Sequence, residues 1–185
     1  HSPVLNALAA LPAARRAGLP FVYEIRAFWE DASAAHGTSR AGDLRYRATR
    51  FLETRAARKA DAVTVICNGL KSDLISRGID AKKITIIPNA VDLALFSGAK
   101  PRDDALAREL GLDDADVLGF IGSFYDYEGL DGLLRAMPMI MEAIFADRPN
   151  WPAQLDRARH YVEHERSWAK SVANYEDVYP RLLKK

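Results

Sequence analysis

Three short runs of branched and aromatic residues, at 21–25, 62–66 and 84–87, are separated by stretches with helical patterning. The first, Phe21-Val22-Tyr23 with Ile25, follows the punctuation of Gly18 and Pro20; the others read AVTVI and ITII. Apolar runs of this length suit strands buried on both faces, which is the habit of parallel sheets. Asp43 is placed to cap a helix from Leu44 to about Lys59, with apolar positions 44, 48, 51, 52 and 56 on one stripe. A second helix, from about Leu70 to Arg77, stops at Gly78, and Val4–Ala17 predicts a helix feeding the first strand. Strand and helix alternating at this spacing predict right-handed βαβ units in an α/β fold.

Composition shifts after Asp92. Ser97–Asp116 reads as loop around one short helix, Ala105–Leu110, ended by Gly111. A fourth strand is expected at Val117–Ile121 (VLGFI), turning through Gly122–Tyr127 into a helix opened by Glu128 and running through Leu134. Pro138 should kink or break that helix. From Ala153 the chain reads helical, broken near Ser167 and ending before Pro180. The expected architecture is a Rossmann-like parallel sheet of about four strands with flanking helices. Four strands leave open sheet edges, a route to self-pairing into a homo-oligomer.

The totals narrow the function. Over 185 residues the formal net charge is +1, so no global field calls for nucleic acid. One cysteine, Cys67, excludes an internal disulfide framework and suits a reducing compartment; following a buried strand, it reads as a small core residue. No apolar run approaches the roughly 20 residues that span a bilayer, and no basic region precedes the first apolar stretch as in a signal peptide. The chain starts abruptly on that stretch, as a cut chain would.

Ligands in open parallel sheets bind just past the carboxyl ends of strands. There the first strand carries Glu24, Arg26, Trp29, Glu30 and Asp31 within eight positions. This is either a binding site or a strand-end ion pair under an aromatic lid. His36, in the Gly-flanked loop that follows, is either a polar group facing the same cleft or an exposed loop histidine. At the fourth strand, GSFYDYEGLDGLL brings Gly122, Ser123, Tyr125, Glu128 and Gly129 to a helix N-terminus, where free N–H groups favour an anion. Glu128 counts against a bare phosphate, and the absence of G-x-G-x-x-G and of a Walker loop removes most support for dinucleotide and P-loop chemistry. His160-Tyr161-Val162-Glu163-His164 matches the H-x-x-E-H zinc pattern, but only 21 residues remain to supply a third ligand. No metal is expected. Between Ser39 and Lys59 seven cations face two acids, so the helix 44–59 is either a solvated face or a peripheral contact with an anionic membrane.

YEIRAFWEDA (23–32), the RYRATRFLE helix, ADAVTVICNGL (60–70), ITIIPNAVDLALF (84–96) and GFIGSFYDYEGLDGLLRA (119–136) together resemble retaining GT-B glycosyltransferases of family 4. The resemblance is to the branch associated with exosortase and PEP-CTERM exopolysaccharide systems. Pro88-Asn89-Ala90-Val91-Asp92 is similar to the P-N-G-V-D element that closes the family's acceptor domain, with Ala90 for the usual Gly. The resemblance implies residues 1–92 as a partial acceptor-binding domain, 93–140 as the start of a nucleotide-sugar domain, and 141–185 as terminal helices packing back on the first. It implies a nucleotide-sugar donor and a saccharide or lipid-linked acceptor on the cytoplasmic face, with Glu24, Arg26, Glu30, Asp31 and His36 on the acceptor side. Gly122, Ser123, Tyr125, Glu128 and Gly129 would serve the donor, without a metal cofactor, and no catalytic nucleophile can be named. Against the family pattern, no two Glu residues stand eight apart, so the E-x7-E donor element is missing. His1-Ser2-Pro3 is similar to an internal point of the family's first domain, and after Met139-Ile140 the chain passes to what resembles its terminal helices. Truncation at the N-terminus and an internal deletion after Ile140 are therefore expected, with impaired catalysis; a non-catalytic binding module is the alternative.

Overall fold

The computed structural model describes residues 3–96, 101–125 and 128–183. β1 (Val22–Ile25), β2 (Ala62–Val65) and β3 (Ile84–Ile86) form one parallel sheet in the order β1-β2-β3. Val22 pairs with Ala62, Ile25 with Val65, and Val65 in turn with Ile86. All four residues of the central β2 are buried, whereas in the edge strand β1 only Tyr23 and Ile25 are. That alternation leaves Glu24 on the opposite face of the sheet from Tyr23.

Four helices build the layers around this sheet: α1 (Val4–Arg16), α2 (Trp29–Ala35), α3 (Leu44–Lys59) and α4 (Asn68–Ser76). Asp43 caps α3 as expected, accepting from the Tyr46 and Arg40 N–H groups at 2.7 Å each. Those backbone bonds, Arg40's first, hold its carboxyl below the usual range. Ala56 and Ala57 let α3 lie close to the sheet, and Val4 and Ala7 of α1 complete that side of the core with Tyr23, Ile25 and Val65. Leu74 of α4 is fully buried, and Gly78 ends that helix at φ 81°, a left-handed turn that suits glycine. Cys67 corrects the sequence reading. It is exposed at the start of α4, because β2 has already ended at Val65.

The core holds charge. The Arg77 side chain is 3% exposed, donates from Nε to Asp73 at 2.5 Å, and sets Nη1 2.7 Å from Oε1 of the fully buried Glu30. Its guanidinium lies 3.8 Å from the centre of the Phe28 ring. Beside it, the Tyr23 hydroxyl donates to Glu53 Oε1 at 2.8 Å. Burial first, and the nearby Glu30 charge after it, push Glu53 up to about 7 against the hydrogen bond from Tyr23. Burial and the Glu53 charge likewise raise Tyr23.

The second half departs from expectation. Residues 117–121 pair with no strand, so the sheet has three strands rather than four. With no partner ladder, Ile121 and Phe124 stand in solvent. Asp126 and Tyr127, and residues 97–100, lie outside the described residues. After α5 (Leu93–Phe96) and α6 (Asp104–Glu109, capped by Asp103), α7 runs unbroken from Leu130 to Ala146. Pro138 therefore does not end it, and its start falls two residues beyond Glu128. α8 (Trp151–Glu165) and α9 (Trp168–Ala173) are separated at Arg166-Ser167. Pro180 sits inside the first turn of α10 (Tyr179–Leu183), where a missing N–H has no partner to lose.

This C-terminal segment seats on the strand ends. Val91 N–H donates to the Arg166 carbonyl at 2.8 Å and the Trp168 N–H returns a bond to Val91 at 3.2 Å. The Ser171 hydroxyl donates to the Pro88 carbonyl at 2.5 Å, and Arg181 donates to the Lys82 carbonyl and Thr85 Oγ1 at 3.1 Å each.

Two outcomes follow from the buried charges. Arg77→Met leaves Glu30 buried without its cation and should cost about 3–5 kcal/mol in urea unfolding, most of it recovered by adding Glu30→Leu. A double variant no more stable than the single would contradict the pairing. Glu53 binds its proton more tightly folded than unfolded, so stability is full below its ordinary 4.5 and declines as pH rises through about 7. The loss is on the order of 3 kcal/mol, and Glu53→Gln should flatten that stretch of the stability–pH curve.

Candidate functional site

Past the carboxyl ends of β1 and β3 lies a cavity of about 430 Å³. Glu24 and Arg26 come from β1 and its exit; Ile87, Pro88, Asn89 and Ala90 come from the exit of β3. The far wall is Trp168, Ser171, Val172 and Tyr175. β2 ends between the two outer strands, and the bonds from Arg166–Ser171 to Pro88 and Val91 hold the wall in place. A parallel sheet collects its exits at one edge, so two strands distant in sequence contribute to one hollow.

Arg26 organises the polar side. Its Nη2 donates to Asn89 Oδ1 at 2.7 Å, and Nη1 lies 3.5 Å from Glu24 Oε1. Arg26 stays half exposed, leaving guanidinium N–H groups facing the opening. Opposite, partial burial raises the Tyr175 hydroxyl above its usual range; the Glu24 charge adds to this and Arg26 opposes it. Trp168 is exposed at the rim. The hollow thus offers a guanidinium, a carboxylate, an amide and two aromatic faces. That set suits a polyhydroxylated ring carrying an anionic group: planar apolar faces for the ring, charge-assisted bonds for the anion.

The other sequence candidates distribute differently. Glu30 does not line the cavity; it is the core partner of Arg77. Asp31 accepts from the Tyr46 hydroxyl at 2.7 Å, tying α2 to α3 and raising that phenol. His36 is exposed and meets the Tyr125 ring edge-on, with centroids 5.1 Å apart. Tyr125 also lines a separate hollow with Phe124, Leu130 and Asp131. Gly122 and Ser123 are exposed, and the Phe120 ring folds so closely over Gly122 that a Cβ there would stand 2.6 Å from it. The Glu128 N–H donates to the Tyr125 carbonyl at 2.9 Å, and Gly129, at φ 67°, precedes α7. None of these five residues lines the cavity of Arg26. His160 and His164 stack on each other at 3.9 Å, and among the described residues no group of three or more His, Cys, Asp or Glu is gathered for a metal.

Sequence reasoning passed over Asn89, Trp168, Ser171 and Tyr175 as site residues. Asn89 was findable, since Pro88-Asn89 directly follows a parallel strand. The wall residues carry no local signal; their contact spans more than 80 positions.

The chain aligns with alpha-maltose-1-phosphate synthase of Mycolicibacterium smegmatis at 24% identity over 115 residues, 58% of this chain. The chain spans only 30% of that protein's length. The family model for Glycosyltransferase Family 4 matches residues 1–95, which hold all three strands and Arg26 and Asn89 of the cavity. With half of its length matched, the chain belongs to Glycosyltransferase Family 4.

Proposed function

We propose that this protein is a retaining glycosyltransferase, moving a sugar from a nucleotide-sugar to a saccharide or lipid-linked acceptor in exopolysaccharide synthesis at the cytoplasmic membrane face. The observation that carries the reading is the hollow in which Arg26, Asn89 and Glu24, inside the segment that matches the family, face Trp168 and Tyr175 from outside it. Residues 1–92 supply the acceptor side of this reading and 141–185 its wall. Residues 93–140 would meet the donor, with Gly122, Ser123, Tyr125, Glu128 and Gly129 near its diphosphate.

Under this reading the acceptor hydroxyl is the attacking group, and the chain's own contribution is positioning. Arg26, steadied by Asn89, fixes the anionic end of a lipid-linked acceptor by its planar fork. Glu24 accepts from sugar hydroxyls, while Trp168 and Tyr175 exclude water from the ring faces. Departure of the nucleoside diphosphate needs electrostatic stabilisation from the donor side.

A second reading, a binding module without turnover, is favoured by one observation: the exposed 117–125 segment shares no cavity with Arg26. Transfer of radiolabel from a panel of uridine- and guanosine-diphosphate sugars to a short-chain prenyl-diphosphate monosaccharide separates the two. Labelled product supports the transferase; binding without product supports the module. In either case Arg26→Ala should weaken calorimetric binding of the prenyl-diphosphate saccharide about ten- to hundredfold, the range of one lost charge-assisted contact. Unchanged affinity would remove Arg26 from the site.

A further inference from the structure

We infer that residues 117–121 are the interface of a homodimer, in which this segment pairs antiparallel with the same segment of a second copy. The inference goes beyond the glycosyltransferase reading and does not rest on it. Val117-Leu118-Gly119-Phe120-Ile121 has the composition of a strand interior, and no charged residue stands between Asp116 and Asp126. Among the described residues its backbone makes no hydrogen bond, and the β1-β2-β3 sheet does not take it up. Its four side chains are all exposed, Ile121 completely. An uncharged, proline-free segment of high strand propensity in this state is a template for pairing with another chain.

The segment complements itself. Turned end over end about Gly119, it sets Val117 opposite Ile121 of the second copy, a pair of branched aliphatics. It likewise sets Leu118 opposite Phe120 of the second copy, an aliphatic against an aromatic. Every such pair occurs twice, as a closed two-fold interface requires. Glycine stands opposite glycine on the axis, where a Cβ would meet nothing of its own chain within 4 Å.

The surroundings extend the same face. Val117 and Leu118 line a hollow of about 580 Å³ with Ile144 and Leu155, and Phe120 packs on Phe124 with ring centroids 6.1 Å apart. Val117, Leu118, Phe120, Ile121, Phe124 and Leu155 together expose on the order of 700 Å², near the roughly 800 Å² per partner of a standard interface. Charges at its margin are neutralised within the chain: Asp116 pairs with Arg148, and Asp131 with Arg135 at 3.6 Å. Two identical faces therefore meet with little like-charge repulsion, and the face offers little to attract a charged partner.

Sedimentation equilibrium of the whole chain under reducing conditions should show a monomer–dimer equilibrium as strong at high salt as at low. Phe120→Lys with Ile121→Lys should weaken it more than about hundredfold. Both side chains are exposed, so the variant should keep the circular dichroism spectrum of the parent. Leu5→Lys with Leu19→Lys, the same added charge at exposed apolar positions near α1, should leave the dimer within about threefold. In a Cys67→Ser background, Gly119→Cys should oxidise to a disulfide-linked dimer at least about tenfold faster than Leu19→Cys, because residues on the axis face their own copies. A chain that stays monomeric up to about 100 μM, or that associates without limit instead of stopping at a dimer, would overturn the proposal. So would a dimer indifferent to Phe120→Lys with Ile121→Lys, or Gly119→Cys crosslinking no faster than Leu19→Cys.

Discussion

One buried guanidinium fixes the part of the molecule on which the site depends. Arg77, at the end of α4, meets Glu30 of α2 and Asp73 of its own helix, and lies over Phe28 between β1 and α2. Glu53 of α3 and Tyr23 of β1 close the same cluster. Three helices and the edge strand are thus joined at the level where β1 releases the chain toward Arg26. Burying charge is unfavourable unless each group finds a partner, so the arrangement admits few alternatives. Burial, with the nearby Glu30 charge adding to it, leaves Glu53 holding its proton into the neutral range. The strand exit inherits the rigidity of this cluster, and Arg26 needs it: a guanidinium recognises an anion by a planar fork that must be aimed.

Much of the first ninety residues was legible because local and long-range signals agree there. AVTVI is buried from end to end as β2, Asp43 caps α3, and Gly78 adopts the left-handed turn that ends α4. The fourth strand failed for a physical reason. VLGFI has the composition of a buried strand, but a strand is completed only by a neighbour, and no partner strand reaches residues 117–121. Pro138 does not break α7, because proline removes one bond from a helix that many others sustain. Cys67 differs because β2 ends at Val65, two residues before it. Within the acid-rich stretch, residue type could not tell Glu24, which faces the cavity, from Glu30, which neutralises Arg77. That distinction is one of direction, set by tertiary packing.

The cavity, the clamp and the basic face of α3 share one frame. Tyr23 and Glu24, adjacent in β1, point to opposite faces: one into the clamp with Glu53, the other into the hollow with Tyr175. Glu53 in turn anchors the inner face of α3, whose outer stripe carries Arg47, Phe51 and Arg55. The hollow and α3 therefore lie on opposite faces of the sheet. Family membership accounts for the sheet and its strand exits; the far wall of the cavity comes from residues outside the matched segment.

The central claim is that strand exits and C-terminal segment form one folded unit around the hollow. Native-state hydrogen exchange reads this without any ligand. The Val91 and Trp168 amides, which bridge the two parts, should exchange slowly and with nearly the same opening free energy as the β1–β2 ladder. If Trp168 and Ser171 exchanged at unprotected rates while the ladder stayed closed, the hollow would have no far wall, and the account would fail.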